Sequence, residues 1–235
     1  KAMSEHLGRY SKGFRPHSKT HKCPEIAKLQ MAAGAVGICA AKVSEAAVMA
    51  RAGIDSILIT SPISTRHKAQ VVNAIVAEPL TLLLVVDSIE GLAALQAEID
   101  DDKLVGLLLD LDASTGRTGV RDNELLLRLL DAMQNDARFY FAGVQHYAGH
   151  VMHVPEFEKR RDKSMRAWER LADKFALLEQ RGMRPQIVTG GGTGTFDIDM
   201  TLEYLTDIQV GRYISMDEEY RQVEGANSDR YQGFQ

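Results

Sequence analysis

Short apolar runs alternate with amphipathic stretches along this chain, and the alternation is its most regular feature. Most of the runs are continuously hydrophobic and do not alternate with polar residues, which is typical of parallel strands buried on both faces. The pattern therefore predicts eight strands, at residues 14–18, 36–40, 56–60, 81–86, 105–111, 140–145, 186–189 and 206–210.

The segments between the runs carry the end signals of helices. Ser88 and Asp122 are suited to cap helices, and Pro155 is suited to a first helical turn. The helices are expected at 23–33, 42–52, 88–99, 122–134 and 155–180. Eight strand–helix units in 235 residues predict an α/β fold of the (β/α)8 TIM-barrel type. A doubly wound open sheet is the alternative.

Composition excludes several classes of partner. The net charge of −4 gives no electrostatic reason to expect nucleic acid or a membrane surface, and no apolar run is long enough to span a bilayer. Cys23 and Cys39 form no CxxC motif, so neither a disulfide framework nor a structural zinc site is expected. Without a visible signal peptide, a cytoplasmic location is the expectation. The chain starts at Lys1 and ends in a polar stretch, which suggests a part of a longer protein.

The first group of candidate functional residues follows strand one. Functional residues of parallel barrels lie at the carboxyl ends of the strands. Residues 15–24 contain two lysines, two histidines and an arginine. Lys19 is the candidate catalytic residue, since a lysine amine can condense with an aldehyde and hold pyridoxal 5′-phosphate (PLP) as a Schiff base. Lys22 is the competing lysine, and His17 either lines the site or packs in the core. An exposed basic turn that attracts any anion is the alternative interpretation.

The loops after strands five and six offer further binding groups. Arg117 has glycines close on both sides and is suited to bind an anionic oxygen, although a surface ion pair with Asp112 is equally compatible. Three histidines and Tyr147 fall within residues 146–153, directly after Gln145. A metal site is one interpretation, but Gly149 favours a loop and no carboxylate adjoins. A residue that stacks on an aromatic cofactor is therefore preferred.

The most specific local pattern is Thr-Gly-Gly-Gly-Thr-Gly-Thr at residues 189–195, after strand seven. Consecutive glycines allow backbone N–H groups to point at one anion, and the phosphate sites of TIM barrels often follow strands seven and eight. A flexible turn is the alternative. After strand eight, Gln209 is expected to point at the barrel mouth, where an amide can hydrogen-bond a ring nitrogen without fixing its charge. A surface glutamine is the other interpretation.

Five motifs in this order resemble those of the PLP-dependent D-threonine aldolase and D-serine dehydratase group, which are relatives of alanine racemase (fold type III). They are Arg-Pro-His-x-Lys-x-His-Lys at 15–22, Lys-Val-Ser-Glu-Ala at 42–46, Gly-Arg-x-Gly at 116–119, Thr-Gly-Gly-Gly-Thr-Gly at 189–194 and Gln-x-Gly-x-Tyr-x-x-Met-Asp at 209–217. The resemblance covers nearly the whole chain. It implies that residues 1–235 form one PLP-binding barrel domain, truncated at both ends and without the family's C-terminal β-domain.

The resemblance also implies roles for single residues. Lys19 would carry PLP, Arg117 would contact the phenolic oxygen of its ring, and Tyr147 would take the place of the ring-stacking residue. The 189–195 loop would hold the phosphate, helped by Tyr213 or its neighbours, and Gln209 would face the pyridine nitrogen. The expected cofactor-binding residues are Lys19, His17, Arg117, Gln145, Tyr147, Thr189, Gly191, Gly192, Thr193, Gln209, Tyr213 and Asp217.

The activity implied by the resemblance is that of a lyase on D-3-hydroxy amino acids, foremost retro-aldol cleavage to glycine and an aldehyde. Dehydration of D-serine or 3-hydroxyaspartate, racemisation and PLP binding without catalysis stay open as alternatives. A metal-independent barrel that binds a sugar phosphate is a further one. Family members hold a divalent metal (Mn, Mg or Zn) in their C-terminal domain and often complete the site across a dimer. The whole protein is therefore expected to be a homodimer, and this chain alone to bind PLP without being active.

Overall fold

Eight parallel strands form the centre of the structure, a computed structural model that describes residues 1–113, 115–215 and 218–225. The strands are β1 (Gly13–Phe14), β2 (Ile38–Ala40), β3 (Ser56–Ile59), β4 (Thr81–Val86), β5 (Val105–Leu111), β6 (Phe139–His146), β7 (Ile187–Gly190) and β8 (Asp207–Ile208). They pair in sequence from β2 to β8, and β8 pairs with β1. Backbone hydrogen bonds from Val36 to Phe14 and from Cys39 to Pro16 join the two ends of this order. The predicted barrel is confirmed, and the open-sheet alternative is wrong.

The helices cover the outside of the barrel. They are α1 (Ala2–Gly8), α2 (Pro24–Ala32), α3 (Val43–Arg51), α4 (Arg66–Val76), α5 (Ile89–Glu98), α6 (Asn123–Gln134), α7 (Phe157–Glu169), α8 (Ala172–Gln180), α9 (Phe196–Asp199) and α10 (Glu218–Arg221). The expected caps are present: the Ser88 side chain accepts a hydrogen bond from the N–H of Gly91, and the Asp122 side chain accepts one from Leu125. Each cap satisfies a backbone donor that the helix itself leaves unpaired. No helix among the described residues is both long enough and apolar enough to cross a membrane.

Two helix predictions need correction. The single helix expected over 155–180 is wrong, because α7 and α8 are separate and the chain breaks at Arg170 and Leu171. Leu171 is buried at this break, with its N–H bonded to the carbonyl of Trp168. Helix α4 was not predicted from the sequence, although Thr65 caps it and Val72 lies on its buried face.

The interior of the barrel changes character along its axis. The part farther from the carboxyl ends of the strands is filled by a small apolar cluster. This cluster is separate from the main core between strands and helices. The members are Cys39, Leu58, Leu83, Val85, Leu108 and Ala142. Side chains two positions apart on a strand share a face, so Thr60 and Asp110 continue the inward rows of Leu58 and Leu108. The interior therefore becomes polar toward the carboxyl ends of the strands.

Candidate active site

A cavity of about 260 Å³ opens at the carboxyl ends of the barrel strands. Its volume is slightly below the roughly 300–1,000 Å³ of typical small-molecule sites. Eight of the residues expected to bind a cofactor line it: His17, Lys19, Arg117, Gln145, Tyr147, Gly192, Thr193 and Gln209. The loops after the first, fifth, sixth, seventh and eighth strands thus meet at one place, as parallel strand order requires.

Lys19 lies in a short 3₁₀ turn, Ser18–Thr20, directly after the first strand segment. The His17 ring begins this turn, since its Nδ1 accepts a hydrogen bond from the Lys19 N–H at 3.4 Å. The Lys19 side chain reaches solvent at the cavity mouth. Desolvation in the concave site nevertheless lowers the pKa of Lys19, and the positive charges of Arg117 and Arg212 lower it further. A larger fraction of its amine is therefore neutral than in an ordinary exposed lysine.

The competing lysine is held elsewhere. Lys22 has a backbone φ of 51°, and its ammonium lies 3.8 Å from a Glu45 carboxylate oxygen, with the side chain largely exposed. Lys22 is not among the residues that line the cavity. The geometry therefore favours Lys19 as the lysine that can reach a bound ligand.

Two cations lie close to the Tyr147 ring. Lys19 Nζ is 5.4 Å from the ring centroid, and Arg117 Cζ is 5.5 Å from it, both within the range of cation–π attraction. The alternative ion pair does not form, because Asp112 pairs with Arg121 at 3.0 Å. Among the described residues no carboxylate lies within ion-pair distance of Lys19 or Arg117. The cavity consequently presents positive charge to an anionic ligand.

The glycine loop after β7 offers backbone donors to the same cavity. Gly191 has a φ of 61°, a left-handed conformation that side chains rarely adopt. No described residue accepts a hydrogen bond from the backbone N–H of Gly192 or Thr193, while the Thr193 hydroxyl accepts one from the Gly211 N–H. Close packing also demands glycine here, since a Cβ on Gly194 would lie 2.0 Å from the Met152 carbonyl oxygen.

A hydrogen-bonded polar layer forms the floor of the cavity. Gln209 Nε2 donates to Gln145 Oε1 at 3.1 Å, and Gln145 Nε2 donates to Asp110 Oδ1 at 2.9 Å. Burial raises the pKa of Asp110 to about 6, although the hydrogen bond from Gln145 opposes this rise. Both glutamines are buried, so the interpretation of Gln209 as a surface residue is wrong.

The other expected cofactor-binding residues do not line the cavity. Thr189 is fully buried beneath the loop, and Gly191 packs against Asp199. Tyr213 is buried, with its hydroxyl accepting a hydrogen bond from Gln30 at 2.9 Å. Asp217 lies outside the described residues.

The three histidines at the end of β6 and in the loop after it lie in different surroundings. His146 is buried, its Nδ1 lies 3.1 Å from the Leu111 carbonyl oxygen, and burial lowers its pKa to about 4. His150 is exposed, and His153 lies 3.4 Å from Glu219. Within the described ranges no three His, Cys, Asp or Glu side chains are grouped so that they could hold a metal ion.

Several cavity residues were missed from the sequence. Arg212 follows the eighth strand and adds a third cation to the lining, while Thr60, Ser61 and Thr118 add hydroxyl groups. Arg212 lies inside a motif that the sequence had already singled out, so its charge and place were a usable signal. The hydroxyl residues carry no local signal, because threonine and serine are common at strand ends.

Fold and cavity together define a (β/α)8 protein with a cationic small-molecule site at the strand ends. The chain belongs to the family of the alanine racemase N-terminal domain, which it matches over residues 1–218. The expected family relationship is confirmed.

Known relatives share most of this chain. A D-threonine aldolase from Arthrobacter sp. is 35% identical over 228 residues, which are 97% of this chain and 59% of that protein. A 3-hydroxy-D-aspartate aldolase from Paracoccus denitrificans (strain Pd 1222) is 30% identical over 230 residues, which are 95% of this chain and 59% of that protein. The crystal structure of D-threonine aldolase from Filomicrobium marinum is 32% identical, with a TM-score of 0.88 over 94% of this chain and 60% of that one. The chain thus spans about three fifths of the length of each of these relatives.

Proposed function

We propose that this chain binds PLP through Lys19 and that the protein acts as a lyase on D-3-hydroxy amino acids. The favoured reaction is the retro-aldol cleavage of a substrate such as D-threonine to glycine and an aldehyde. The observation that carries the proposal is the meeting, in one cavity, of the Lys19 amine with backbone N–H donors of the glycine loop that have no acceptor among the described residues. The names of three relatives, two D-threonine aldolases and a 3-hydroxy-D-aspartate aldolase, support the choice of reaction.

The chain's own groups fit PLP at both ends of the molecule. A phosphate needs several donors without competing acceptors, and the N–H groups of Gly192 and Thr193 meet this requirement. An aldehyde needs an amine that is partly neutral, and the lowered pKa of Lys19 supports this. Between them lies the flat face of Tyr147, which suits an aromatic ring.

When bound, PLP supplies an electron sink for a bond that breaks at the α-carbon of an amino acid. In the cleavage, the β-hydroxyl loses its proton and the bond between the α- and β-carbons breaks. The electron pair of that bond ends on the α-carbon, which takes up a proton, so the products are glycine and an aldehyde. Neutral Lys19 Nζ can bond a carbonyl carbon or accept a proton. Arg117 and Arg212 can bind carboxylate, phenolate or phosphate oxygens.

Further proposals concern the metal, the location and the oligomeric state of the whole protein. We place the divalent metal (Mn, Mg or Zn) and the rest of the active site outside this chain, and we expect a cytoplasmic homodimer with a small D-amino acid as substrate. Residues 1–235 would then form the PLP-binding barrel domain. Activity is consequently expected from the complete gene product and not from this chain alone.

The first experiment is a binding test on this chain. PLP is added, the visible spectrum is recorded, and borohydride reduction is followed by peptide mapping, with Lys19→Ala and Lys22→Ala in parallel. The expected result is label on Lys19, loss of the band in Lys19→Ala and an unchanged band in Lys22→Ala. Label on Lys22, or a folded protein without a band, would contradict the proposed role of Lys19.

The second experiment separates the reactions. The complete gene product with PLP and Mn²⁺ is given D-threonine, and acetaldehyde, 2-oxobutanoate and L-allo-threonine are measured. Acetaldehyde together with glycine in equal amounts is the expected outcome. 2-Oxobutanoate with ammonia would mean dehydration, L-allo-threonine would mean racemisation at the α-carbon, and PLP binding without any product would mean a carrier; each of these overturns the aldolase proposal.

A further inference from the structure

We propose that Gln145 and Thr189 fix the amide of Gln209 so that its carbonyl oxygen faces the cavity and selects a protonated ring nitrogen on the ligand. The inference rests on the proposed function for the identity of that ligand. The orientation of the amide itself rests only on this chain. Gln209 is the residue that touches the ligand, while Gln145 and Thr189 are positioning residues.

The first constraint comes from Gln145. Its Nε2 lies 3.1 Å from the Thr60 backbone carbonyl oxygen and 2.9 Å from Asp110 Oδ1. A backbone carbonyl can only accept a hydrogen bond, so the Gln145 amide must turn its NH₂ group toward Thr60. Its Oε1 then faces Gln209 and requires a donor there. The Gln209 Nε2, 3.1 Å away, is that donor.

The second constraint comes from Thr189. Its hydroxyl donates to the buried carboxylate of Asp207, so its proton is already used and the oxygen is left to accept. Gln209 Nε2 lies 3.3 Å from this oxygen. Asp207 is itself held by Arg15, whose Nε lies 3.4 Å from Oδ1. Thr189 and Gln145, on two different strands, therefore both require a hydrogen-bond donor from Gln209.

The Gln209 amide has only its oxygen, a hydrogen-bond acceptor, left for a ligand. Both N–H bonds of its amide are engaged, and a glutamine has only two. Its Oε1 has no donor among the described residues, yet it does not belong to their fully buried unpaired atoms. Because Gln209 lines the cavity, this oxygen is the polar atom that it offers to a ligand.

A fixed acceptor discriminates between the two states of a pyridine ring. An unprotonated ring nitrogen carries a lone pair and would face the lone pairs of Oε1, whereas a protonated one donates a hydrogen bond. Hydrogen bonding to the charged form raises its pKa. A freely rotating glutamine would serve either state, so the hydrogen bonds to Gln145 and Thr189 turn a neutral amide into a selective one. Protonation of the ring strengthens its capacity to accept electrons.

The experiment uses PLP labelled with ¹⁵N in the ring, bound to this chain and fixed with borohydride. The ring ¹⁵N shift is titrated between pH 6 and 9 in the original protein, in Thr189→Val and in Thr189→Ser. We expect a protonated ring at neutral pH in the original protein and in Thr189→Ser. In Thr189→Val, which lacks the hydroxyl, we expect the ring pKa to fall by about one pH unit. An unprotonated ring in the original protein, or equal titrations of all three, would overturn the inference.

A second measurement needs no cofactor. Hydrogen exchange of the side-chain NH₂ groups is followed by NMR in protein with ¹⁵N-labelled glutamine. The Gln209 NH₂ should exchange much more slowly than that of exposed Gln222, and Thr189→Val should remove much of this protection. Rapid exchange at Gln209 in the original protein would refute the fixed orientation. Slow exchange in a protein that fails to bind PLP would refute the proposed function alone.

Discussion

Asp110 is a buried carboxylate whose charge should weaken the fold at neutral pH. Burial raises its pKa from 3.8 to about 6, and the charge of Asp87 raises it as well, while hydrogen bonds from Gln145 and Thr118 act in the opposite direction. An asparagine has the same shape, can accept the Gln145 hydrogen bond and carries no charge. We therefore predict that Asp110→Asn stabilises the protein increasingly as the pH rises.

The magnitude follows from the two pKa values. The folded state binds the proton more tightly than the unfolded chain, so the stabilisation is complete below about pH 4 and is lost as the pH rises through about 6. At about 1.36 kcal/mol per pH unit the full loss is about 3 kcal/mol. The part lost between pH 5 and 7.5 is about 1 kcal/mol. The free energy of unfolding of Asp110→Asn, minus that of the original protein, should rise by this amount.

The assay is urea unfolding at pH 5, 6 and 7.5 in the absence of PLP, because a ligand would add its own stabilisation. Asp131→Asn makes the same chemical change on the exposed face of α6, and its effect should not follow this pH profile. A difference for Asp110→Asn that stays constant with pH would refute the reasoning. So would one that grows toward acid pH.

Three further predictions concern Asp199 beneath the glycine loop, Gly143 where β6 packs against β7, and Arg117 in the cavity. Asp199→Ala should lower the free energy of unfolding by about 2 kcal/mol in urea titrations, because it removes the acceptor of three buried donors. Gly143→Ala should cost more than about 3 kcal/mol in the same assay, since its Cβ would lie 1.8 Å from a carbonyl oxygen of β7. Gly8→Ala, which meets nothing within 4 Å, should change stability by less than about 1 kcal/mol. Arg117→Gln should weaken PLP binding in fluorescence titrations roughly tenfold. Arg121→Gln, its control on the same loop, should leave binding unchanged, because Arg121 pairs with Asp112.

The strands could be predicted because their signal is local. A strand buried on both faces must be apolar throughout, and β4 and β5 coincide with the predicted runs 81–86 and 105–111. Strand β1 is shorter than the predicted 14–18. Pro16 has no N–H to donate to the ladder, although His17 resumes contact with the eighth strand segment by donating to the Val210 carbonyl.

The break between α7 and α8 could not be predicted, because its cause is tertiary. No glycine or proline marks it, and residues on both sides favour helix. Trp168 and Leu171 are both buried there, and the Trp168 ring nitrogen donates to Asp199 beneath the glycine loop. A straight helix would carry its later turns away from the barrel. The chain bends at this point because burial of these side chains outweighs one uninterrupted helix.

The site residues also fall into two groups: those that local sequence identifies and those whose role depends on distant contacts. Lys19, Arg117 and the glycine loop were recognisable because residue type and place after a strand suffice to suggest a role. The pairing of Gln145 with Gln209 spans 64 positions, and its meaning depends on a third partner, the Thr60 carbonyl. Sequence reasoning placed Gln209 at the barrel mouth but left its amide able to serve either state of a ring. The orientation of the Gln209 amide is determined by hydrogen bonds to residues on other strands.

The polar floor explains how a cavity rich in positive charge can rest on a barrel without leaving buried groups unpaired. The donors of Gln145 and Gln209 end on a carbonyl, a carboxylate, an amide oxygen and a hydroxyl oxygen. The Asp207 carboxylate is balanced by Arg15 below the floor, so it does not neutralise the cations above. The charge of Arg117 therefore stays available to a ligand, while the floor adds a directional acceptor. Removing any member of this layer should change which ligand state is bound before it changes whether the barrel folds.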